Sequence, residues 1–158
     1  MEELQRKIDA VMRLATANTI EERNAALEEV RRLLEAPSAP TPDAEDIIRD
    51  ILFEIGAPDH LMGYPMVIEG VMIALESTER NEGLIHFLYP KIAEAFDSTW
   101  EKTERAIRHL IERTWLIGDA DAQYRLFGRT IDPERGKPTN GQFISRLTNI
   151  TRQRLKMA

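Results

Sequence analysis

The sequence predicts an all-α fold, and three observations carry that prediction. Apolar residues recur at intervals of three and four along most of the chain, as one buried face of a helix requires. No stretch sustains the strict alternation of a half-buried strand. The breaks between periodic stretches hold helix-cap residues, or glycine followed by proline, which are the local signals for starting and stopping helices.

Leu4, Ile8, Val11 and Ala15 define a first helix over 3–16, and Ile20, Leu27, Val30 and Leu34 define a second over 20–35. Thr19 and Glu22 have the spacing of a capping box, so 17–19 is expected to connect a helical hairpin. Helices this short cannot bury both apolar stripes against each other. The pair therefore either packs on the rest of the chain or self-associates, and 1–36 is expected to be a dimerisation or input module. Pro37, Pro40 and Pro42 mark 37–43 as a stiff spacer of roughly 20 Å in polyproline geometry, leaving 44–158 as the main domain.

In that domain Ile47, Ile48, Ile51, Leu52 and Ile55 mark a helix stopped at Gly56-Ala57-Pro58. Gly63-Tyr64-Pro65 introduces the next, through the apolar stretch 66–75, with proline in its first turn. A short helix over 88–96, a tight connection at 97–99 and a long helix from 100 to about 116 follow in helix-turn-helix order. Gly118-Asp119 closes the long helix, 122–127 fits a short one, and 128–138 reads as an irregular or hairpin-like loop. Thr139 and Gln142 cap a last helix carrying Phe143, Ile144, Leu147 and Leu155.

With 158 residues, 42% of them hydrophobic, the chain can bury one ordinary core. The absence of cysteine excludes disulfides, thiolate metal sites and cysteine nucleophiles. No run of about 18 apolar residues occurs and the start lacks a signal-peptide layout, so a cytoplasmic protein without a membrane segment is expected. His60, His86 and His109 fall in three different elements without metal-ligand spacing, and no phosphate-cradling glycine run is present. The expectation is a protein that is not an enzyme and needs no metal or cofactor.

A net charge of −6 argues against a nucleic-acid partner until its distribution is read. Residues 1–45 hold six basic and ten acidic side chains, 46–96 three and nine, and 97–158 twelve and eight. Charge acts within a Debye length of about 8 Å, so a basic last third is a better pointer to a nucleic-acid face than the total.

The segment 100–115 carries the chemistry. At about 100° per residue, Glu101, Lys102, Arg108, His109 and Glu112 fall within roughly 60° of Arg105, with Thr103, Ile107, Leu110 and Thr114 opposite. Ile111 and Trp100 join the opposite, core-facing arc. Arginine can bond guanine O6 and N7 together, and a carboxylate can accept from cytosine N4. Arg105 and Arg108 are therefore candidate base readers with Glu104 on their flank, while Lys102 and His109 suit phosphate. By spacing alone, such a face is more often a solvated surface laced with pairs such as Glu104 with Arg108.

Five stretches separate these readings: Glu54-Ile55-Gly56-x-Pro58-x-His60-x-x-Gly63-Tyr64, Leu88-Tyr89-Pro90-x-Ile92-Ala93, Glu104-Arg105-Ala106-Ile107-Arg108-His109-x-Ile111-Glu112, Leu126-Phe127-Gly128 and Lys137-Pro138-Thr139-Asn140. In this order and spacing, over about 110 residues from Ile47, the chain resembles the C-terminal DNA-binding effector domain of the sporulation response regulator. The resemblance implies a compact six-helix fold that sets a recognition helix, 100–115, into the major groove of double-stranded DNA. It implies Glu104, Arg105 and Arg108 as base-contacting residues, and His109, Lys137, Thr139 and Asn140 near the DNA backbone; Ser98, Thr99 and Lys102, at the start of the same helix, are expected to meet the backbone as well. Paired or tandem copies on DNA, a homodimer, a nucleoid location when bound and contact of 119–125 with an RNA polymerase sigma subunit are further expectations of the likeness.

The pattern departs from the family at Glu101-Lys102-Thr103, where relatives carry serine, arginine and valine. Lysine keeps the charge without the bidentate fork, and Glu101 adds an acid, which a Ser98–Glu101 capping box would hold over the helix start. The segment 119–125 is also poorly matched. Residues 1–45 are too short for the phosphoacceptor receiver of full-length relatives, so control by phosphorylation in cis is not expected. Two functions remain open: a sequence-specific transcription regulator, or an interaction protein of the same fold that titrates a related regulator or its polymerase partner.

Overall fold

The structure is a computed structural model that describes residues 2–35, 42–77 and 84–157. Among them all regular structure is helical: α1 (Glu2–Thr16), α2 (Ile20–Glu35), α3 (Ala44–Glu54), α4 (Gly63–Glu76), α5 (Leu84–Ala95), α6 (Trp100–Ile117), α7 (Ala120–Phe127) and α8 (Asn140–Met157), with a 3-10 turn at Gly128–Thr130. No helix of the described residues is long and apolar enough to cross a membrane. Contacts divide the chain into two compact units, Met1–Thr41 and Pro42–Ala158. Of the expected spacer 37–43, residues 37–41 lie outside the described residues.

In the first unit α1 and α2 form a hairpin whose connection is fixed by the Thr19–Glu22 box. The Thr19 hydroxyl accepts from the Glu22 N–H at 3.1 Å, and the Glu22 carboxylate accepts from the N–H groups of Asn18 at 3.0 Å and Thr19 at 3.3 Å. That satisfies donors which the first turn of α2 would otherwise leave open. The side chains buried here are small, Ala10 and Ala26.

The second unit is built around large apolar side chains from all of its helices, among them Ile48, Ile51, Leu52, Leu88, Ile92, Ile107, Leu110 and Leu147, each fully buried. Phe127 and Phe143 stack at 5.2 Å between ring centres, and Trp115 meets them edge-on at 5.5 and 6.0 Å, tying α6, α7 and α8 together. The buried hydroxyls of Thr103, Thr114, Thr148 and Thr151 each donate to a carbonyl one turn back, and among the described residues no buried side-chain nitrogen or oxygen is left without a partner.

Two helix ends set the frame. α3 stops in a left-handed turn at Gly56, φ +74°, where the Gly56 and Ala57 N–H groups return to the carbonyls of Phe53 and Leu52. A Cβ on Gly56 would lie 2.7 Å from the Gly118 Cα, so this stop also seats the end of α6. α5 ends in the same motif without glycine: Asp97, φ +48°, and Ser98 return their N–H groups to Glu94 and Ala93.

The predicted elements and the observed ones agree in order and differ at ends. α5 begins one turn before the expected 88, because Ile85 also packs against the core, and Pro90 therefore lies inside the helix rather than in its first turn. Trp100, expected to face the core, is 53% exposed. It is the first residue of α6, and a side chain there leans toward the helix start, beyond the packed body.

Candidate nucleic-acid interface

The exposed face of α6 is set by how the helix is held. Thr103, Ile107, Leu110, Ile111 and Thr114 are its buried residues. Gly63, in the first turn of α4, lets the two helices meet at backbone distance: a Cβ there would stand 2.3 Å from the Ala106 carbonyl oxygen. Anchored in this way, α6 leaves Glu101, Lys102, Arg105, Arg108, His109 and Glu112 exposed along the other side.

The start of α6 differs from the expected capping box. The cap is Thr99, whose hydroxyl accepts from the Lys102 N–H at 3.3 Å. Ser98 instead closes the end of α5, its N–H bonded to Ala93 at 2.8 Å. The helix starts one residue later than a Ser98–Glu101 box needs, so Glu101 stands at its second position, out of register with Ser98, and faces solvent. Its charge there is favoured by the helix dipole.

Along the face, Arg108 Nη2 donates to Glu104 Oε1, one turn back. Arg105 and His109 are exposed beside this pair. On the far side of Arg108 an open groove of about 1050 Å³ lies between α6, the 128–138 loop and the start of α8, lined by Tyr89, Arg108, Arg129, Arg135, Lys137 and Asn140 among others. Lys137 reaches Glu112 on α6 at 3.2 Å, and Arg135 lies 3.9 Å from Asp132. Thr139 and Gln142 form the expected box at the start of α8, with the Thr139 N–H bonded to the Gln142 side-chain oxygen at 3.0 Å and the Gln142 N–H to the Thr139 hydroxyl at 3.2 Å.

Asn140 has a more internal place than its sequence position implied. Its side-chain amide donates to the Tyr89 hydroxyl at 2.9 Å and to the Glu104 carbonyl at 3.1 Å, so it joins α8, α5 and α6 at one point. Burial pushes the Tyr89 hydroxyl above its ordinary pKa, against the opposing pull of the Asn140 bond and the Arg108 charge, and it stays protonated at neutral pH. Asn140 thus positions α6.

The structure brings Glu104, Arg108, Lys137, Thr139 and Asn140 to one groove, with Lys102, Arg105 and His109 along the exposed side of α6 and Ser98 and Thr99 at its start. Arg129 and Arg135 join the groove and were not singled out in the sequence, although three cations within nine residues of one loop were a usable signal. The basic surplus of 97–158 overstates what faces outward. Arg146 donates to the Leu126 carbonyl at 2.7 Å, Arg152 to the Ala74 carbonyl at 2.9 Å, and Arg154 to Glu54 at 2.7 Å, so all three arginines of α8 serve the fold.

The family model described as "Sporulation initiation factor Spo0A C terminal" matches residues 48–150 of this chain, which takes in α4 to α7 complete and most of α3 and α8. The chain belongs to the family of the Spo0A C-terminal domain, a DNA-binding domain of transcription regulation in sporulation.

Proposed function

We propose that this protein is a sequence-specific transcription regulator, with 44–158 as its DNA-binding unit and α5, the 97–99 turn and α6 as a helix-turn-helix. The observation that carries the reading is the two-sidedness of α6: five residues buried on one side, Lys102, Arg105, Arg108 and His109 open on the other. With α6 in the major groove, Arg105 and Arg108 meet base edges. Glu104 accepts from cytosine or holds Arg108 in line for guanine. Lys102, His109, Lys137 and Thr139 meet phosphates, joined by Ser98 and Thr99 at the helix start and by Arg129 and Arg135 of the groove. Asn140 acts from behind, by fixing α6 against α8. A polymerase sigma subunit is the partner the resemblance implies for α7, which exposes Tyr124 and Arg125.

A second reading, the interaction protein without useful DNA affinity, draws on the pairing of Arg108 with Glu104 and of Lys137 with Glu112. A salt titration on a duplex selected from a random pool separates the two. A regulator gives specific binding whose log–log slope is near −0.9 per phosphate contact. An adapter recovers no preferred duplex, and that result would remove the first reading.

A further inference from the structure

The hairpin unit is packed inside out. Its buried contact is made by Ala10 and Ala26, while Leu4, Ile8, Val11 and Met12 on α1, and Ile20, Leu27 and Leu34 on α2, are between 46% and 77% exposed. The phase of the helices explains this. Leu4, Ile8, Val11 and Ala15 follow one another at four-, three- and four-residue steps, the spacing of a coiled-coil seam, and that seam lies roughly 130° round the helix from Ala10. Ile20, Leu27 and Leu34 repeat every seven residues, roughly 100° from Ala26. Each helix therefore turns toward its neighbour a face on which an alanine is buried and Leu14, Val30 and Leu33 are half-buried, and points this seam elsewhere.

We infer that these two seams are the docking surface for the hairpin of a second copy of this chain, the two hairpins closing into a four-helix bundle. Two features select that occupant. Both seams belong to one hairpin of near-equal helices, 15 and 16 residues long, so a second hairpin has the length and the pair of apolar strips to cover both at once. The seven large side chains together expose on the order of 700–800 Å², close to the ~800 Å² that one partner contributes to a standard interface. The unit also lies outside the part of the chain that the family match covers, so this pairing is a property of this protein's own N-terminal segment.

Sedimentation equilibrium of the full chain in the absence of DNA tests the inference. At tens of micromolar the wild type should sediment at twice its 18.1 kDa, and the double variant Ile8→Glu/Leu27→Glu at 18.1 kDa. A monomeric wild type would overturn the inference, as would a double variant that remains dimeric. A seam that docks on its own chain or awaits a different partner gives the first of these results. If the double variant loses helicity, cross-linking decides. The chain has no cysteine, so Val11→Cys on the seam and Arg6→Cys on the opposite side of α1 each carry a single thiol. A short bis-maleimide should join Val11→Cys chains into covalent dimers and leave Arg6→Cys chains single; equal yields from the two would refute the arrangement. Neither measurement involves DNA, so this inference and the DNA-binding reading stand or fall separately.

Discussion

The hairpin and the effector unit are written in the same amphipathic code and fold with opposite results. In Pro42–Ala158 the apolar faces turn inward and bury Phe127, Phe143 and a set of isoleucines and leucines completely. Among the described residues of Met1–Thr41 two alanines are buried, and most of the large side chains look outward. Periodicity states that a helix has an apolar face; it does not state what covers that face. Six helices can wrap one another's faces, whereas two helices cannot.

The largest expected effect sharpens this contrast. Leu110→Ala should cost the effector unit about 2–5 kcal/mol by transfer loss and cavity formation, at any protein concentration. Leu27→Ala should cost the dilute hairpin less than about 0.5 kcal/mol, as a surface change does. Native-state hydrogen exchange resolved by unit reads both. A large loss from Leu27→Ala at high dilution would mean that the hairpin has a core of its own.

Next in size is the joint at Asn140. Replacement by alanine removes a bond to the Glu104 carbonyl and one to the Tyr89 hydroxyl, at about 1–3 kcal/mol of stability to chemical denaturation. The hairpin offers the control: Arg13 and Glu29 are 2.9 Å apart but partly in solvent, so Arg13→Ala should change stability by no more than ~1 kcal/mol. Equal effects would argue that Asn140 is as dispensable as a surface ion pair.

The helix order, the Thr19–Glu22 and Thr139–Gln142 capping boxes, the Gly56 stop and the alternation of buried and exposed residues along α6 were legible in the sequence, because each is decided within a turn or two of the residue concerned, whereas the Ser98–Glu101 box gave way to a Thr99 cap. The Trp100 orientation and the start of α5 were not, since helical phase says nothing about where the packed body ends. The site was legible as a face and not as a set of contacts. Arg105 and Arg108 could be placed by angle, but the tie between Asn140 and Tyr89 spans 51 positions and has no local signature. The arginines of α8 were misleading for the same reason: Arg154 finds Glu54 a hundred positions away.

That last pair gives the smallest expected effect. The Arg154 guanidinium, and more weakly Arg125, hold the Glu54 carboxyl below its ordinary pKa. A depressed carboxyl contributes stability that is present above its unfolded value and lost as pH falls through the folded one. Both partners are about a third exposed, so the loss should be a few tenths of a kcal/mol, on the order of a surface pair, confined to the acid range. Denaturation of Glu54→Gln against wild type from neutral pH into that range should show the two converge; a difference that grows on acidification would reverse the assignment.

The most direct test of α6 as the reader is the binding of wild type, Arg105→Ala and Arg108→Ala to the selected duplex and to its single-base variants. Each substitution should weaken the selected duplex by roughly 1–3 kcal/mol and flatten preference at one base position while leaving the others intact. If both variants bind the duplex and discriminate among its base variants as the wild type does, the reading of DNA lies elsewhere in the molecule.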